Sequence, residues 1–443
     1  MSSDKLSACR ILIVIICLIL YSCPDNLEPD YDIYLSIEDL FCTSVTLRVT
    51  LPDSGRINYF ILDRNDSTIA TFTCFDDDTL IADEGLTPDS DYSYTVRFLK
   101  DGQTRAESDP VTVHTLPTTS HDFVWEIDML GNYGSYLRDA WIVDENHIWV
   151  VGALTIDDST SQYSGQQNYN VAVWNGSIWE YKLIGAPGVT CDGIFYFSTN
   201  DIWIATGIIY HWNGNEWVRY HLWDMGILDN DEGGVEHIWA FSPDDIYFVG
   251  GKGSIVHYDG STFKKLESGM DIHLKNIRGS ENGDYIFIVG WEDSGESVAL
   301  QLHEGTVTTL YEAENFGPNN NYGKVQAVSV INDIAYFSTR AGLWRYKYLT
   351  GESNLIISNP DVFRYMSIET SGANDVNNIM FMGLWFTTFH YNGDTWYEDR
   401  TVLDTYGEWN IYAHGGDFKD DLVVLVGYCY GGRNAIIGRG FRQ

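Results

Sequence analysis

The feature that most constrains the fold is a short phrase in which Asn-Gly or Asp-Gly stands between aromatic residues. These dipeptides favour two-residue β-hairpins, since both central residues must adopt positive φ. Each copy therefore predicts a tight hairpin with aromatic residues on both arms. The phrase occurs four times, as VWNGSIW at 173–179, HWNGNEW at 211–217, HYDGSTF at 257–263 and HYNGDTW at 390–396.

The turn glycines recur with a period of 38 to 46 residues, at Gly176, Gly214, Gly260, Gly305, Gly351 and Gly393. That is the period of a four-stranded β-propeller blade. A strand that follows an Asx-rich turn precedes each hairpin, and seven such strands are present, at 145–152, 199–207, 243–251, 282–290, 331–339, 376–383 and 419–427. The predicted unit has four strands, a to d, and only six of the seven units end in strand d.

The missing strand d is predicted at the start of the repeat region. Residues 123–126 (FVWE) are similar to IWEY at 178–181 and EWVR at 216–219. We expect them to pair with the strand near 434–438, which closes the ring and removes exposed sheet edges. The repeat resembles bacterial propellers built on "NDIWAVG…HWNG…W". The resemblance implies a seven-bladed β-propeller over 120–443, and it implies no particular reaction.

Residues 31–117 show a different sequence pattern. Seven short alternating segments separated by turn residues predict an immunoglobulin-like β-sandwich, so the whole chain is expected to be all-β. The stretch LTPDSDY at 86–92 resembles the fibronectin type III signature, which implies a tyrosine corner in which Tyr92 bonds to backbone a few residues upstream. The core Trp of that family is absent, and Val49 stands near its place. Cys42–Cys74 is a candidate disulfide that the sequence leaves open.

The first residues carry a targeting pattern. Lys5 and Arg10 precede the apolar run ILIVIICLIL at 11–20, which is typical of a secretory signal and short for a membrane span. LYSC at 20–23 resembles a bacterial lipoprotein box. This implies removal of residues 1–22, acylation of Cys23, a tether at 23–30, and anchoring at the outer membrane or cell surface. An ordinary cleaved signal and an uncleaved anchor are the alternatives.

Charge and cysteine spacing restrict the partners. A formal net charge of −37 repels phosphate backbones, so we expect no nucleic acid. The cysteines form no CxxC pair, so we expect no zinc site and no cofactor. The acidic stretch at 229–232 (DNDE) could hold Ca²⁺ through oxygen ligands. The other Asx pairs are interpreted as turn formers.

Function is better sought where the repeats differ, because the repeated aromatics are expected to pack between blades. In a propeller, the b–c and d–a connections share one face, which we call the loop face. The long connections all fall there, at 155–170, 222–234, 291–297, 312–323, 400–408 and 428–434. Their aromatic and acidic residues suit glycan or peptide binding, or else reflect neutral loop variation. The candidates are Tyr163, Trp223, Asp229, Asp231, Glu232, Trp291, Glu292, Tyr322, Trp385, Tyr428 and Tyr430.

Three functions remain open. The first is a non-enzymatic, monomeric binding lipoprotein that takes a glycan or an envelope protein, with the fibronectin-like domain as stalk. The second is a carbohydrate-active enzyme, either a glycoside hydrolase or glycosyltransferase-like. It needs two carboxylates across a pocket, and Glu232 and Glu292 are its candidates. The third is a structural component of the envelope. The chain has no Gly-x-Ser-x-Gly, His-Glu-x-x-His or phosphate loop, so the first is preferred.

Overall fold

The chain divides into two compact units, residues 1–117 and 118–443. A computed structural model describes residues 33–50, 59–72, 78–100, 102–157, 165–314, 323–357, 368–407, 410–430 and 434–443. The predictions for the leader, the tether, Cys23, Cys74, Tyr163 and Tyr322 concern residues outside these ranges. No helix within these ranges is long and apolar enough to cross a membrane. They contain one α-helix, α1 (Thr401–Tyr406), and one 3-10 helix, Gly251–Gly253.

The first unit consists of two antiparallel sheets that share one core. One sheet has the order β1-β2-β5; the other has the order β4-β3-β6-β7, and β8 also pairs with β6. Leu47 in one sheet and Phe60 and Phe98 in the other are fully buried in a single cluster, so the sheets pack face to face. The strands are β1 Tyr34–Leu40, β2 Ser44–Thr50, β3 Tyr59–Arg64, β4 Ser67–Phe72, β5 Asp78–Glu84, β6 Asp91–Lys100, β7 Gln103–Glu107 and β8 Val111–His114.

The sequence did not predict β7. Its residues, QTRAE, are mostly exposed and show no apolar alternation. Periodicity therefore carries no signal there, and β7 forms as the polar continuation of the hairpin with β6.

The second unit contains seven four-stranded antiparallel sheets, and each of the first six uses four consecutive strands. The strands of the first three are β10 Tyr136–Asp144, β11 His147–Asp157, β12 Gln166–Trp174, β13 Trp179–Lys182; β14 Gly193–Ser198, β15 Asp201–Ala205, β16 Ile209–Trp212, β17 Trp217–Tyr220; β18 Val235–Ser242, β19 Asp245–Gly250, β20 Ile255–Tyr258, β21 Phe263–Leu266. Those of the next three are β22 Leu274–Gly279, β23 Tyr285–Trp291, β24 Ser297–His303, β25 Thr306–Ala313; β26 Val325–Ile331, β27 Ile334–Thr339, β28 Gly342–Lys347, β29 Glu352–Ile357; β30 Ile368–Asp375, β31 Asn378–Gly383, β32 Thr388–Tyr391, β33 Trp396–Asp399.

The seventh sheet joins both ends of the unit. Its inner three strands are β34 Ile411–Lys419, β35 Leu422–Cys429 and β36 Ala435–Arg442, and its outer strand is β9, Phe123–Leu130. Trp125 lies opposite Gly440, and Met129 lies opposite Ile436. This is the strand exchange that the sequence predicted, although both strands are longer than expected.

The first strand of each sheet lies innermost. These strands, β10, β14, β18, β22, β26, β30 and β34, contact one another in chain order, and β34 contacts β10. They surround a central cavity of about 400 Å³. A ring of four-stranded sheets around a central channel is consistent with a β-propeller.

The Asn-Gly hairpins differ from the expected two-residue turns. Trp174 pairs with Trp179, so four residues connect the strands. The Asn175 side-chain oxygen accepts the N–H groups of Ser177 and Ile178 at 3.1 and 3.0 Å. The expected turn required positive φ at both Asn175 and Gly176. Only Gly176 of these two has it, at 88°. The prediction of a two-residue turn was wrong because the Asx side chain, which supplies its own acceptor, favours a wider turn.

The repeated His and Asx residues act together in the packing of the second and third sheets of this unit. His211 Nε2 lies 2.9 Å from Asp201 Oδ1, and its ring stacks on Trp203 at 3.9 Å between centroids. His257 lies 2.7 Å from Asp245 and stacks on Tyr247 at 4.4 Å in the same way. The repeated phrase therefore encodes a contact between the second and third strands, which is a structural role.

Candidate functional site

The inner strands present a ring of polar residues where they begin, at the loop face. Six of these strands have a register shift near their first residues, which displaces one residue from the ladder. Such bulges redirect a residue and are frequent beside binding sites. In the second sheet, Asp192 holds the equivalent position immediately before β14. The residues with described side chains are Arg138, Asp192, Glu236, Lys275, Gln326 and His414, and in the sixth sheet the displaced backbone position is 369.

Three members of this ring, Arg138, Asp192 and Glu236, have ionisable neighbours. Arg138 Nε lies 3.8 Å from Asp192 Oδ1, and His273 Nε2 lies 3.0 Å from Glu236 Oε2. Burial, reinforced by the charge of Glu236, raises the pKa of Asp192 to about 7. Burial acts to raise the pKa of Glu236, but the His273 hydrogen bond and the charges of His273, His237 and Arg138 together outweigh it, and the pKa lies below its usual range. Arg138 therefore lies beside two acidic groups, of which Asp192 keeps its proton to a higher pH than Glu236 does.

A pocket of about 320 Å³ opens between the first and the seventh sheet on this face. The guanidinium carbon of Arg138 lies 5.1 Å from the centroid of Tyr136, whose hydroxyl is 2.9 Å from Thr190 Oγ1. Tyr430 is 58% exposed at the rim. The lining residues are Gly134, Ser135, Tyr136, Arg138, His414, Tyr428 and Tyr430.

The pocket combines aromatic walls with one positive charge. Tyr428 stacks on Tyr412 at 5.0 Å and on His414 at 5.2 Å between centroids. Burial, together with the charge of Arg138, lowers the pKa of His414 to about 4, so this imidazole is neutral at physiological pH. Arg138 Nε is buried and has no hydrogen-bond partner among the described residues.

The sequence predicted Tyr428 and Tyr430 and missed the other side chains around them. Tyr136, Arg138 and His414 lie at the start of inner strands, whereas the sequence argument considered only long connections. A polar residue at or just before the start of each inner strand was the available signal.

Trp291 and Glu292 stabilise their own segment. Trp291 is 9% exposed, and the ammonium nitrogens of Lys324 and Lys275 lie 2.9 and 3.4 Å from its ring centroid. The Glu292 carboxylate accepts the His273 backbone N–H at 2.8 Å. Trp291 therefore offers little free ring surface to a ligand.

The acidic loop at 229–232 is closed by its own contacts. Glu232 accepts the Asp229 backbone N–H at 2.7 Å and forms an ion pair with Lys265. Trp223 donates to the Glu232 carbonyl oxygen at 3.4 Å. Asp229 and Asp231 are exposed. No group of three or more metal-ligating side chains occurs in the described part of the chain.

Trp385, another predicted loop residue, is 7% exposed and belongs to the core. Two of the eleven loop candidates, Tyr428 and Tyr430, therefore line the pocket that the structure shows at the loop face. Tyr163 and Tyr322 lie outside the described residues.

Buried charges in the central channel connect the inner strands. Asp139 accepts the N–H groups of Ala140 and Ile194 at 2.9 and 3.1 Å, and burial raises its pKa to about 7. Arg278 donates to the Ser371 carbonyl oxygen at 2.9 Å, which joins the fourth sheet to the sixth. These contacts satisfy buried groups across sheet boundaries, so we assign the channel a structural role.

Comparison with solved structures identifies the fold of the second unit. A structure of YCF48 bound to D1 peptide superposes with a TM-score of 0.52 at 15% identity, covering 74% of this chain and 98% of that one. A structure of the mitotic checkpoint complex gives a TM-score of 0.50 at 12% identity, with the same coverage of 74% and 98%. These neighbours are β-propeller proteins, so the second unit has a β-propeller fold. No protein-family model and no curated protein matches the chain.

Proposed function

We propose that the chain is an exported, lipid-anchored binding protein without enzymatic activity. Its seven-bladed propeller, residues 120–443, takes a protein or glycan partner on the loop face. Cys23 carries the anchor, residues 23–30 are the tether, and residues 31–117 form a fibronectin type III-like stalk. The observation that carries this proposal is the aromatic pocket between the first and seventh sheets.

The composition of the pocket supports a binding role. Aromatic walls with few polar groups are typical of ligand pockets, and the exposed rim residue Tyr430 is accessible to a large partner. A neighbour of the same fold, YCF48, is solved with a bound peptide, and another belongs to a multiprotein complex. Both favour a protein partner over a glycan.

The first unit is compatible with a spacer of the fibronectin type. The Tyr92 hydroxyl accepts a hydrogen bond from the Thr87 backbone N–H at 2.9 Å, five residues upstream. This is the contact that a tyrosine corner requires. The two face-packed sheets around it supply the rigidity that a stalk needs.

The alternative of a carbohydrate-active enzyme finds less support. Its candidates, Glu232 and Glu292, both accept backbone N–H groups that hold their own segments. A pair of catalytic carboxylates would have to face each other across a substrate.

Array binding tests the proposed function. The purified full chain would be applied to a glycan array and to a peptide array, beside Tyr430→Ala and the control Tyr34→Ala. Tyr34 is 59% exposed and lies in the first unit, so it matches Tyr430 in exposure. We expect a specific signal that Tyr430→Ala loses and Tyr34→Ala keeps. A signal that survives Tyr430→Ala would place the site elsewhere, and turnover of a bound oligosaccharide would favour the enzyme.

A further inference from the structure

Arg138 has one donor atom at the pocket that no described residue satisfies, and its side chain is 41% exposed overall. Its Nε is buried without a hydrogen-bond partner, and the Asp192 oxygen at 3.8 Å is beyond hydrogen-bond distance. Buried donors are nearly always satisfied in folded proteins. An unsatisfied donor beside a pocket therefore indicates where a ligand acceptor would bind.

The other described residues that line the pocket carry no charge at physiological pH, whereas the acidic residues Asp192 and Glu236 lie beside Arg138 in the ring of inner-strand residues. His414 is uncharged at physiological pH, and Tyr136, Tyr428 and Tyr430 contribute ring surface. A guanidinium in such surroundings prefers a planar acceptor with two oxygens, since two parallel N–H···O bonds can form. A carboxylate has this shape and brings a negative charge directly to the guanidinium.

We propose that this pocket binds the free C-terminal carboxylate of a partner polypeptide, with Arg138 as the counter-charge and the tyrosines around the last side chain. This inference rests on the proposed binding function and specifies its ligand. The pocket holds about 320 Å³, at the small end of the usual range of about 300–1,000 Å³. Only the last one or two residues of the partner would enter it.

The electrostatics of the whole chain favour a single carboxylate. A formal net charge of −37 repels a polyanion, whereas a chain end brings one negative charge directly to Arg138. The described lining also suits a peptide better than an acidic sugar. Sugar hydroxyls need several polar partners, and the hydroxyl of Tyr136 is already close to Thr190 at 2.9 Å.

A pair of peptide libraries tests the inference. Hexapeptides with random sequence would be immobilised through their N-termini, once with free C-terminal carboxylates and once as C-terminal amides. We expect the full chain to be captured by the free acids alone. Arg138→Gln should weaken the capture by about tenfold to a hundredfold, the usual effect of losing a charge-assisted hydrogen bond. The control is Arg219→Gln, an exposed arginine on β17.

Arg138→Lys provides a second variant in case Arg138→Gln unfolds, which thermal melting would show. It keeps the charge and loses the two-pronged geometry, so an intermediate loss of capture is expected. Full capture by Arg138→Gln, or by Arg138→Lys if only that variant folds, would overturn the inference.

The remaining outcomes separate this inference from the proposed function. Equal capture of acids and amides that is lost in Tyr430→Ala would overturn the carboxylate assignment and leave the binding function standing. The protein could instead bind uronic-acid glycans through Arg138 and capture no peptide. That result would overturn the assignment of a polypeptide C-terminus and would identify a sugar carboxylate as the ligand. No binding to either library or to a glycan array would overturn both proposals.

Discussion

The carboxylate of Asp417 in the last inner strand accepts the backbone N–H of Ile142 in the first inner strand at 2.7 Å. Lys419, two residues further, donates to the carbonyl oxygen of Val143 at 2.7 Å. These bonds join residues about 275 positions apart in the sequence. The ring is therefore closed on its inner side by side chains, as well as on its outer side by β9.

Replacing Asp417 by Ala should destabilise the second unit. The change leaves the N–H groups of Ile142 and Phe418 without their acceptors in a buried setting, at about 1–3 kcal/mol for each unsatisfied group. Asp417→Asn keeps one acceptor oxygen and should cost less. The measurement is urea unfolding followed by Trp fluorescence, which reports on the second unit because all 15 Trp residues lie at position 125 or later.

The control for this series is Asp404→Ala in α1. Asp404 is exposed and pairs with Arg400 only at 3.7 Å, so the free energy of unfolding should change by no more than about 0.5 kcal/mol. If Asp417→Ala behaved like this control, closure through the inner strands would be excluded.

The stability of the second unit should depend on the ionisation of Asp192, which Glu236, Arg138 and His273 face. Its folded pKa of about 7 lies above its ordinary value of 3.8. The folded state therefore binds the proton more tightly, and the favourable contribution present at low pH is lost as pH rises towards 7. The stabilisation that Asp192→Asn gives relative to the natural chain should increase between pH 5 and 7 and level off above.

Urea unfolding at pH 5, 6, 7 and 8 measures this difference. Asp259→Asn is the control, because hydrogen bonds from Thr262 and Ser261 lower the pKa of Asp259 and keep it ionised over the whole range. Its effect on the free energy of unfolding should be constant with pH. A constant effect of Asp192→Asn as well would mean that Asp192 is ionised throughout.

The sequence predicted the repeat architecture because its signals are local. The apolar strand around Trp203 and the hairpin after His211 can each be recognised within about ten residues. The exchange of β9 into the last sheet was also predictable. The last repeat lacked its outer strand, and one strand of the outer type preceded the first repeat. The turn type was not, because the number of turn residues depends on which backbone groups Asn175 accepts.

The pocket could not be predicted from these signals. Tyr136 and Tyr428 are distant in sequence and line one pocket only because the first and last sheets become neighbours when the ring closes. The displacement of Arg138 depends on the bulge between Leu137 and Asp139. Long connections were a poor guide, since Trp291 and Trp385 pack into the core.

The proposed acylation of Cys23 predicts a labelled, membrane-bound protein. Cells that express the full chain and grow with radiolabelled palmitate should incorporate the label into it, and the protein should partition into detergent. Cys23→Ser should abolish both properties, because the lipoprotein box that LYSC resembles is acylated on its cysteine. Cys429→Ser is the control and should retain the label. Label that persists in Cys23→Ser would exclude this anchor.

Two glycines of β36 test the position of the closing strand β9. A Cβ on Gly440 would lie 2.7 Å from Val423 and 3.0 Å from Trp125, whereas one on Gly438 would lie 3.4 Å from Trp125, at ordinary contact distance. Gly440→Ala should therefore lower the free energy of unfolding by about 1–3 kcal/mol through overpacking. Gly438→Ala should be nearly neutral, since reduced flexibility of the unfolded chain offsets small strains.

Combining Gly440→Ala with Trp125→Ala shows whether the cost of Gly440→Ala comes from contact with β9 or from a general intolerance of β36 to substitution. Without the indole, Gly440→Ala should cost less than it does alone, which gives a favourable coupling energy for two residues in contact. The same urea unfolding experiment on the two single variants and the double variant measures this coupling. Strictly additive costs, or equal costs for Gly438→Ala and Gly440→Ala, would show that Trp125 does not lie against Gly440 and that the seventh sheet is closed by a different strand.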